Sequence, residues 1–268
     1  MAYAPQTPYV ASNLPQDVYQ GAYAAQLGDQ PRAEYHPALT RKNIILGVIC
    51  LLIGLAFAGG GIAAGQSSDG SAGSMVILVL FGLAFIAGGI YTLLYGVIYK
   101  GWGVYVYERG FVFKKGSQAA QPFRWDQIEA AWHSVTRHYR NGIYTGTTHR
   151  YRVRRNDGYE VILNDRFNKV GELGDLVHNS VTSAKIPQVL AAYNAGQAIT
   201  FGPLSVSTQG IWNGKSMLPW AEVKDISIQS GYIAVSKAGK WLRWSSQPVS
   251  AVPNPFLFIA LVRRVLGR

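Results

Sequence analysis

The sequence predicts a membrane protein: a two-helix transmembrane hairpin followed by tandem α+β units, mainly antiparallel β, each closed by a C-terminal helix. Three observations lead there. Residues 44–65 and 75–99 form two apolar runs without one charged side chain. After Lys100 the apolar period changes from helical to alternating. That alternating plan then starts again about 100 residues further on.

Each apolar run exceeds the roughly 20 residues a helix needs to cross a hydrocarbon core, and neither carries the polar stripe of a soluble core helix. In the first run Gly47, Gly54 and Gly61 recur every seven residues; in the second Gly82, Gly89 and Gly96 do the same. Each set forms one stripe, and antiparallel packing is expected to place Gly47 opposite Gly96, Gly54 opposite Gly89 and Gly61 opposite Gly82. Small residues let helix backbones approach closely in lipid. The competing reading is that membrane helices are simply rich in glycine. Arg41 and Lys42 precede the first run, while Lys100, Arg109, Lys114 and Lys115 follow the second and the connection holds neither Lys nor Arg. By the positive-inside rule both termini are expected to be cytoplasmic, in a multi-pass cell-membrane protein. Tyr91, Tyr95, Tyr99 and Trp102 mark the inner interface.

At 268 residues and 49% hydrophobic content, the chain has room for the hairpin and two modest globular units, better than for one enzyme-sized core. Net charge is +11, and from Lys100 onward 22 Lys or Arg face 10 Asp or Glu. A basic unit beside an inner leaflet favours anionic headgroups over nucleic acid. Cys50, the only cysteine, lies in a span, which rules out a disulfide framework and a thiolate metal site.

Residues 1–40 interleave five prolines with five tyrosines without helical or strand periodicity, so a disordered, solvated cytoplasmic tail is expected. It lacks the pattern of a cleavable signal, leaving the first span as the targeting element. The hairpin then occupies 41–100. A first unit, 101–196, opens with β-rich runs around Glu108-Arg109-Gly110 and continues through Trp125-Asp126-Gln127-Ile128. Asn156-Asp157-Gly158 supplies turn chemistry for another hairpin. Leu173, Leu176 and Val177, then Val189, Leu190 and Tyr193, have helical spacing, with Pro187 expected to separate two segments. In the second unit, 197–268, Leu204, Val206, Gly210 and Ile211 repeat Val104, Val106, Gly110 and Phe111, and Trp220-Ala221-Glu222-Val223 echoes the first Trp motif. The closing helix is expected to start with Asn254 as N-cap and Pro255 at its first position.

Strand, Gly turn, strand, then a Trp motif opening a second strand series and a closing helix resembles the bacterial pleckstrin-homology-like (PH-like) fold. The order of tail, two-span anchor and paired units is similar to an uncharacterised family of bacterial membrane proteins known only as a domain of unknown function. The fold implied hosts lipid-binding, peptide-binding and architectural roles. In eukaryotic lipid-binding members the basic residues concentrate around the first hairpin; here the densest basic stretch comes later.

That stretch is Arg137, His138 and Arg140, then Arg150, Arg152, Arg154 and Arg155, with tyrosines between. Alternation puts Arg150, Arg152 and Arg154 on one strand face. Such a row suits phosphate groups of an anionic leaflet or a protein partner; the other reading is a solvated face whose charges discourage edge pairing. Residues 210–216 approach a phosphate-binding loop, but the glycines are misspaced and no helix follows, so a hairpin turn is expected. His133, His138 and His149 lack partners at ligand spacing, and no nucleophile elbow or paired carboxylates occur. The expectation is a non-enzymatic scaffold or sensor without cofactor, metal or catalytic residue, binding membrane lipid, anionic headgroups or an unidentified protein. The alternative is an accessory subunit of an envelope enzyme or transporter complex.

Overall fold

The computed structural model describes residues 14–37, 41–66 and 72–267. In chain order, α1 (Gln16–Ala24) and β1 (Ala33–Tyr35) precede the hairpin helices α2 (Arg41–Gly65) and α3 (Ala72–Ile98). The chain divides into two compact units: residues 37–102 with 115–117, and the remaining residues.

In the first of these units α2 and α3 pack along their glycine stripes. A Cβ on Gly54 would lie 2.7 Å from the Gly82 carbonyl oxygen, and one on Gly89 would lie 2.8 Å from the Gly47 carbonyl oxygen. One on Gly61 would come within 3.2 Å of the Met75 carbonyl oxygen. Gly47 therefore faces Gly89 and Gly54 faces Gly82, one heptad away from the expected pairing. The reason lies in the connection. Residues 66–71 are too few to let one helix overshoot, so Gly65 and Ala72 sit at similar depth, whereas the expected register would have set Gly65 opposite Leu78. A stripe of period seven also matches itself after a shift of seven, so spacing alone leaves the register open. Gly96 lies in α3, and its packing is outside what is described. Two segments, of 23 and 24 residues, are long and apolar enough to span a membrane, with only 17% and 11% of their most apolar windows buried. At the end of α3 the Tyr99 and Trp102 rings meet edge-on at 5.2 Å, and the Lys115 ammonium lies 5.3 Å from the Trp102 ring centroid.

The other unit contains the same arrangement twice. In its first half, β2 (Gly103–Val106), β3 (Gly110–Lys114) and β4 (Gln121–Arg124) form an antiparallel sheet, and β1 adds the fourth strand beside β2. A 3-10 turn (Trp125–Gln127) leads to β5 (Ile128–Arg140), β6 (Ile143–Arg155) and β7 (Glu160–Asn164), a second antiparallel sheet followed by α4 (Val170–Asn194). In the second half, β8 (Ile199–Phe201), β9 (Leu204–Ser207), β10 (Gly210–Trp212) and β11 (Met217–Pro219) form the four-stranded sheet. After another 3-10 turn (Trp220–Glu222) come β12 (Val223–Gln229), β13 (Tyr232–Lys237) and β14 (Arg243–Pro248); a turn at Val249–Ala251 then leads into α5 (Pro255–Val265).

The duplication extends to single atoms. Trp125 Nε1 donates to the Glu108 carbonyl at 3.1 Å, and Trp220 Nε1 donates to the Ser207 carbonyl at 2.9 Å. A Cβ on Gly110 would lie 2.1 Å from the Phe123 carbonyl oxygen, and one on Gly210 would lie 2.0 Å from that of Leu218. Each motif glycine therefore permits a strand approach that no side chain allows.

This correspondence places β1 opposite β8. The β8–β9 connection is the tight pair Gly202-Pro203, with Gly202 at φ 63°, whereas the β1–β2 connection contains the whole hairpin. The hairpin is an insertion between the first two strands of the first repeat.

It follows that the expectation of a disordered tail is corrected for residues 14–37. Val18, Ala22 and Leu27 are buried against Tyr105, Tyr107 and Val112, and Lys114 pairs with Asp17. The apolar positions are few, and the strand partner of β1 lies beyond the hairpin, so local composition could not reveal the packing. Residues 1–13 and 38–40 of that expected tail lie outside the described residues.

One other expectation changes, and one holds in position though not in bonding. Pro187 does not divide α4, which is continuous over 25 residues. Its first part buries Leu173, Val177 and Val181, while Ile186, Val189, Leu190 and Tyr193 further on pack against the core of the second half. Packing along both stretches compensates the single backbone bond that proline removes. Asn254 is the N-cap residue of α5 and Pro255 opens the helix, as expected, yet the Asn254 side chain makes no capping bond. Its Oδ1 accepts from Ala131 N–H at 2.9 Å, its Nδ2 donates to the Glu129 carbonyl at 2.9 Å, and its own N–H donates to the Ala131 carbonyl at 2.8 Å. Asn254 thus joins the second half to β5 of the first. Asn254→Ala removes two of these bonds and is expected to cost about 1–3 kcal/mol, read as a lower thermal midpoint of the full chain in a maltoside detergent. An unchanged midpoint would show that the junction rests elsewhere. The closing role expected for α5 is present: Leu257, Phe258, Leu261 and Val262 are buried in the core of the second half.

Candidate functional site

The β5–β6 pair outgrows its sheet. β7 pairs with β6 only between residues 150 and 154, whereas β5 and β6 remain paired out to Arg140 and Ile143. Asn141 and Gly142, both at positive φ (51° and 77°), form the two-residue turn that closes this ribbon. At its tip Ile143 is 71% exposed and Tyr139 60%, with the Tyr139 and Tyr144 rings in edge contact at 5.9 Å.

The six arginines do not form one row. Arg154 pairs with Glu129 at 2.7 Å, and Arg155 pairs with Asp157 at 2.6 Å while donating to the Pro122 carbonyl. Arg155 also pulls the Asp157 carboxyl down to about 2, through its hydrogen bond ahead of the Tyr159 amide. Arg152 stacks over Trp132, 3.9 Å from the ring centroid. These three are occupied within the fold. Arg137, Arg140 and Arg150 are exposed and make no ion pair among the described residues. Strand alternation and pairing put Arg150 on the face of Trp132 and Ser134, and Arg137 on the opposite face with His133 and His149.

That opposite face continues the core outward as an aromatic cluster. His133 stacks on Tyr151 at 4.3 Å, and His178 of α4 lies 5.7 Å from both rings. Gly174 makes room for the Tyr151 ring, since a Cβ there would fall 1.9 Å from it. Burial lowers His178 to about 3 and His133 to about 4, with the neighbouring histidines contributing a smaller electrostatic part; burial raises the Tyr151 phenol. His133 Nε2, His149 Nδ1 and His178 Nε2 are buried without hydrogen-bond partners. No three His, Cys, Asp or Glu side chains among the described residues are placed to hold a metal ion.

Between this face and the second half lies a cleft of about 430 Å³. β5 lines it with Ser134 and Arg137, the β12–β13 turn with Ser230 and Gly231, the following 3-10 turn with Ser250, and α5 with Phe256. Residues 210–216 form the β10–β11 hairpin, where Asn213 Oδ1 accepts from the Lys215 and Ser216 amides at 3.0 and 2.9 Å.

A family model described as "Family of unknown function (DUF6585)" matches residues 1–267. The chain belongs to that family. No curated protein and no solved structure matches it. In this DUF6585 chain, sequence reasoning missed the convergence of His133, His149 and His178, although the shared parity of residues 133, 149 and 151 on paired strands was a usable signal. It also missed the β13–β14 loop, where Trp241 is 90% exposed and Leu242 61% exposed beside Lys240.

Proposed function

We propose that the chain is a membrane-anchored, non-enzymatic scaffold or sensor. Its hairpin spans the bilayer, and its two PH-like halves work at the cytoplasmic leaflet, where the β5–β6 ribbon docks on anionic lipid. The single observation that carries this reading is the ribbon: exposed Tyr139, Ile143 and Tyr144 beside Arg140 at its tip, and Arg150 at its base, neither arginine with an acidic partner among the described residues. Aromatic and aliphatic groups suit the headgroup boundary, and basic groups suit its negative potential. Two further features support it. The apolar helices leave most of their surface uncovered. Because β1 and β2 pair across the insertion, both ends of the hairpin return to one sheet, as two spans with termini on the same side require. A four-stranded sheet, a three-stranded sheet and a closing helix, present twice, support the PH-like assignment.

Each basic residue near an anionic leaflet contributes about 1 kcal/mol, and reversing its sign turns attraction into repulsion. Full-length protein in nanodiscs of neutral or part-anionic lipid is the test, with hydrogen–deuterium exchange read over residues 136–148. Protection is expected only with anionic lipid, fading with salt, and Arg140→Glu with Arg150→Glu is expected to abolish it. Equal exchange in both lipids would refute leaflet docking by the ribbon.

A further inference from the structure

We propose that the cleft between the two halves is a binding site for a phosphate monoester, with Arg137 as its cationic anchor. The first argument is charge. Arg137 lines the cleft, makes no ion pair among the described residues, and no acidic side chain shares the lining. A guanidinium stays charged at any physiological pH and presents a planar fork of donors matched to phosphate oxygens.

The second argument is donor number. Ser230 and Ser250 line the cleft, and their hydroxyls make no hydrogen bond among the described residues. A guanidinium fork and two hydroxyls outnumber what the two oxygens of a carboxylate need and suit the three terminal oxygens of a phosphate monoester. These donors come from separate elements that the fold fixes in place. Val249 N–H donates to the Gly231 carbonyl at 2.9 Å, which ties the turn carrying Ser250 to the turn carrying Ser230. Asn254 ties the start of α5 to β5.

The third argument is size and wall. The cleft of about 430 Å³ falls in the range of small-molecule sites and leaves space beyond a phosphate group. Phe256, backed by His178 at 4.9 Å between ring centroids, gives that space an apolar side. A small organic substituent on the phosphate would lie there. The same chemistry is offered by a soluble sugar or polyol phosphate and by a phosphatidate headgroup.

This inference stands apart from leaflet docking, because Arg137 and Arg150 lie on opposite faces of the ribbon. The test uses full-length protein in a maltoside detergent and isothermal titration calorimetry with glycerol 3-phosphate, with glycerol as the uncharged control and monomeric dihexanoyl phosphatidate as the lipid probe. Saturable binding of glycerol 3-phosphate but not glycerol is expected. Arg137→Gln should weaken it about tenfold or more, as loss of a charged hydrogen bond does, and Ser250→Leu should block it by filling the cleft. Arg150→Gln should leave it unchanged. Binding confined to the phosphatidate, with the same response to the variants, would assign the phosphate to a lipid headgroup. No saturable heat with either phosphate, or binding that Arg137→Gln leaves intact, would overturn the proposal.

Discussion

Gly54→Leu is expected to split the helical hairpin. A Cβ at this position would lie 2.7 Å from the Gly82 carbonyl oxygen and 2.8 Å from the Ile86 amide nitrogen. Both are backbone atoms of α3, so no side chain can turn aside to make room. The helices must separate, and contact is then lost along the whole stripe, from Gly47 against Gly89 to Gly61 against Met75. In lipid, where the proposed function puts them, helices have no hydrophobic drive to hold them together, so close packing carries their association. A cost of about 3 kcal/mol or more follows, at the upper end of overpacking effects. Gly59→Leu is the control, since a Cβ there meets nothing within 4 Å. Unfolding of the full chain by titration with sodium dodecyl sulfate should show Gly54→Leu far less stable and Gly59→Leu close to the parent. Equal midpoints for all three would mean that the stripe does not hold the hairpin.

Acid is expected to weaken the globular part, and His178→Phe is expected to remove much of that sensitivity. His178 is 2% exposed and its proton affinity is lowered from the ordinary 6.5 to about 3, first by burial and then by His133. A depressed histidine favours the folded chain while both states are neutral, above about pH 6.5. Below that, the unfolded chain takes up a proton that the folded chain refuses, so stability falls until the folded value near 3 is reached. At about 1.4 kcal/mol per pH unit, His178 alone should cost about 2 kcal/mol between pH 7.5 and pH 5. His133, held near 4 and less deeply buried, adds a smaller share that solvent screens. Thermal midpoints of the full chain at the two pH values are the measurement. The parent should drop more than His178→Phe, and parallel drops would remove His178 as the source.

Much of the architecture was legible because it rests on local chemistry. Helices long and apolar enough to span a membrane follow from length and absence of charge, and strands from alternation. The repeat follows from glycines and tryptophans that make the same backbone contacts in both halves, such as Trp125 to Glu108 and Trp220 to Ser207. The candidate site was legible only in part. Six arginines were visible, but ion pairs with Glu129 and Asp157 occupy two, Trp132 takes a third, and alternation separates Arg137 from Arg150. The cleft was invisible, because its lining comes from β5, two turns and α5, which are far apart in sequence.

The sequence by itself determined the two apolar helices, the glycine stripes, the order of the strands after Lys100 and the duplicated plan. Each depends on residues close together along the chain. Tertiary structure alone decided which heptad of α2 meets which of α3, that α1 and β1 belong to the first repeat, and that the side chain of the N-cap residue Asn254 bonds to β5 rather than to its own helix. It also decided which arginines stay free. The physical reason is shared: apart from the local Arg155–Asp157 pair, each outcome depends on a partner distant in sequence, whose position is set by loop closure and packing and not by the local pattern.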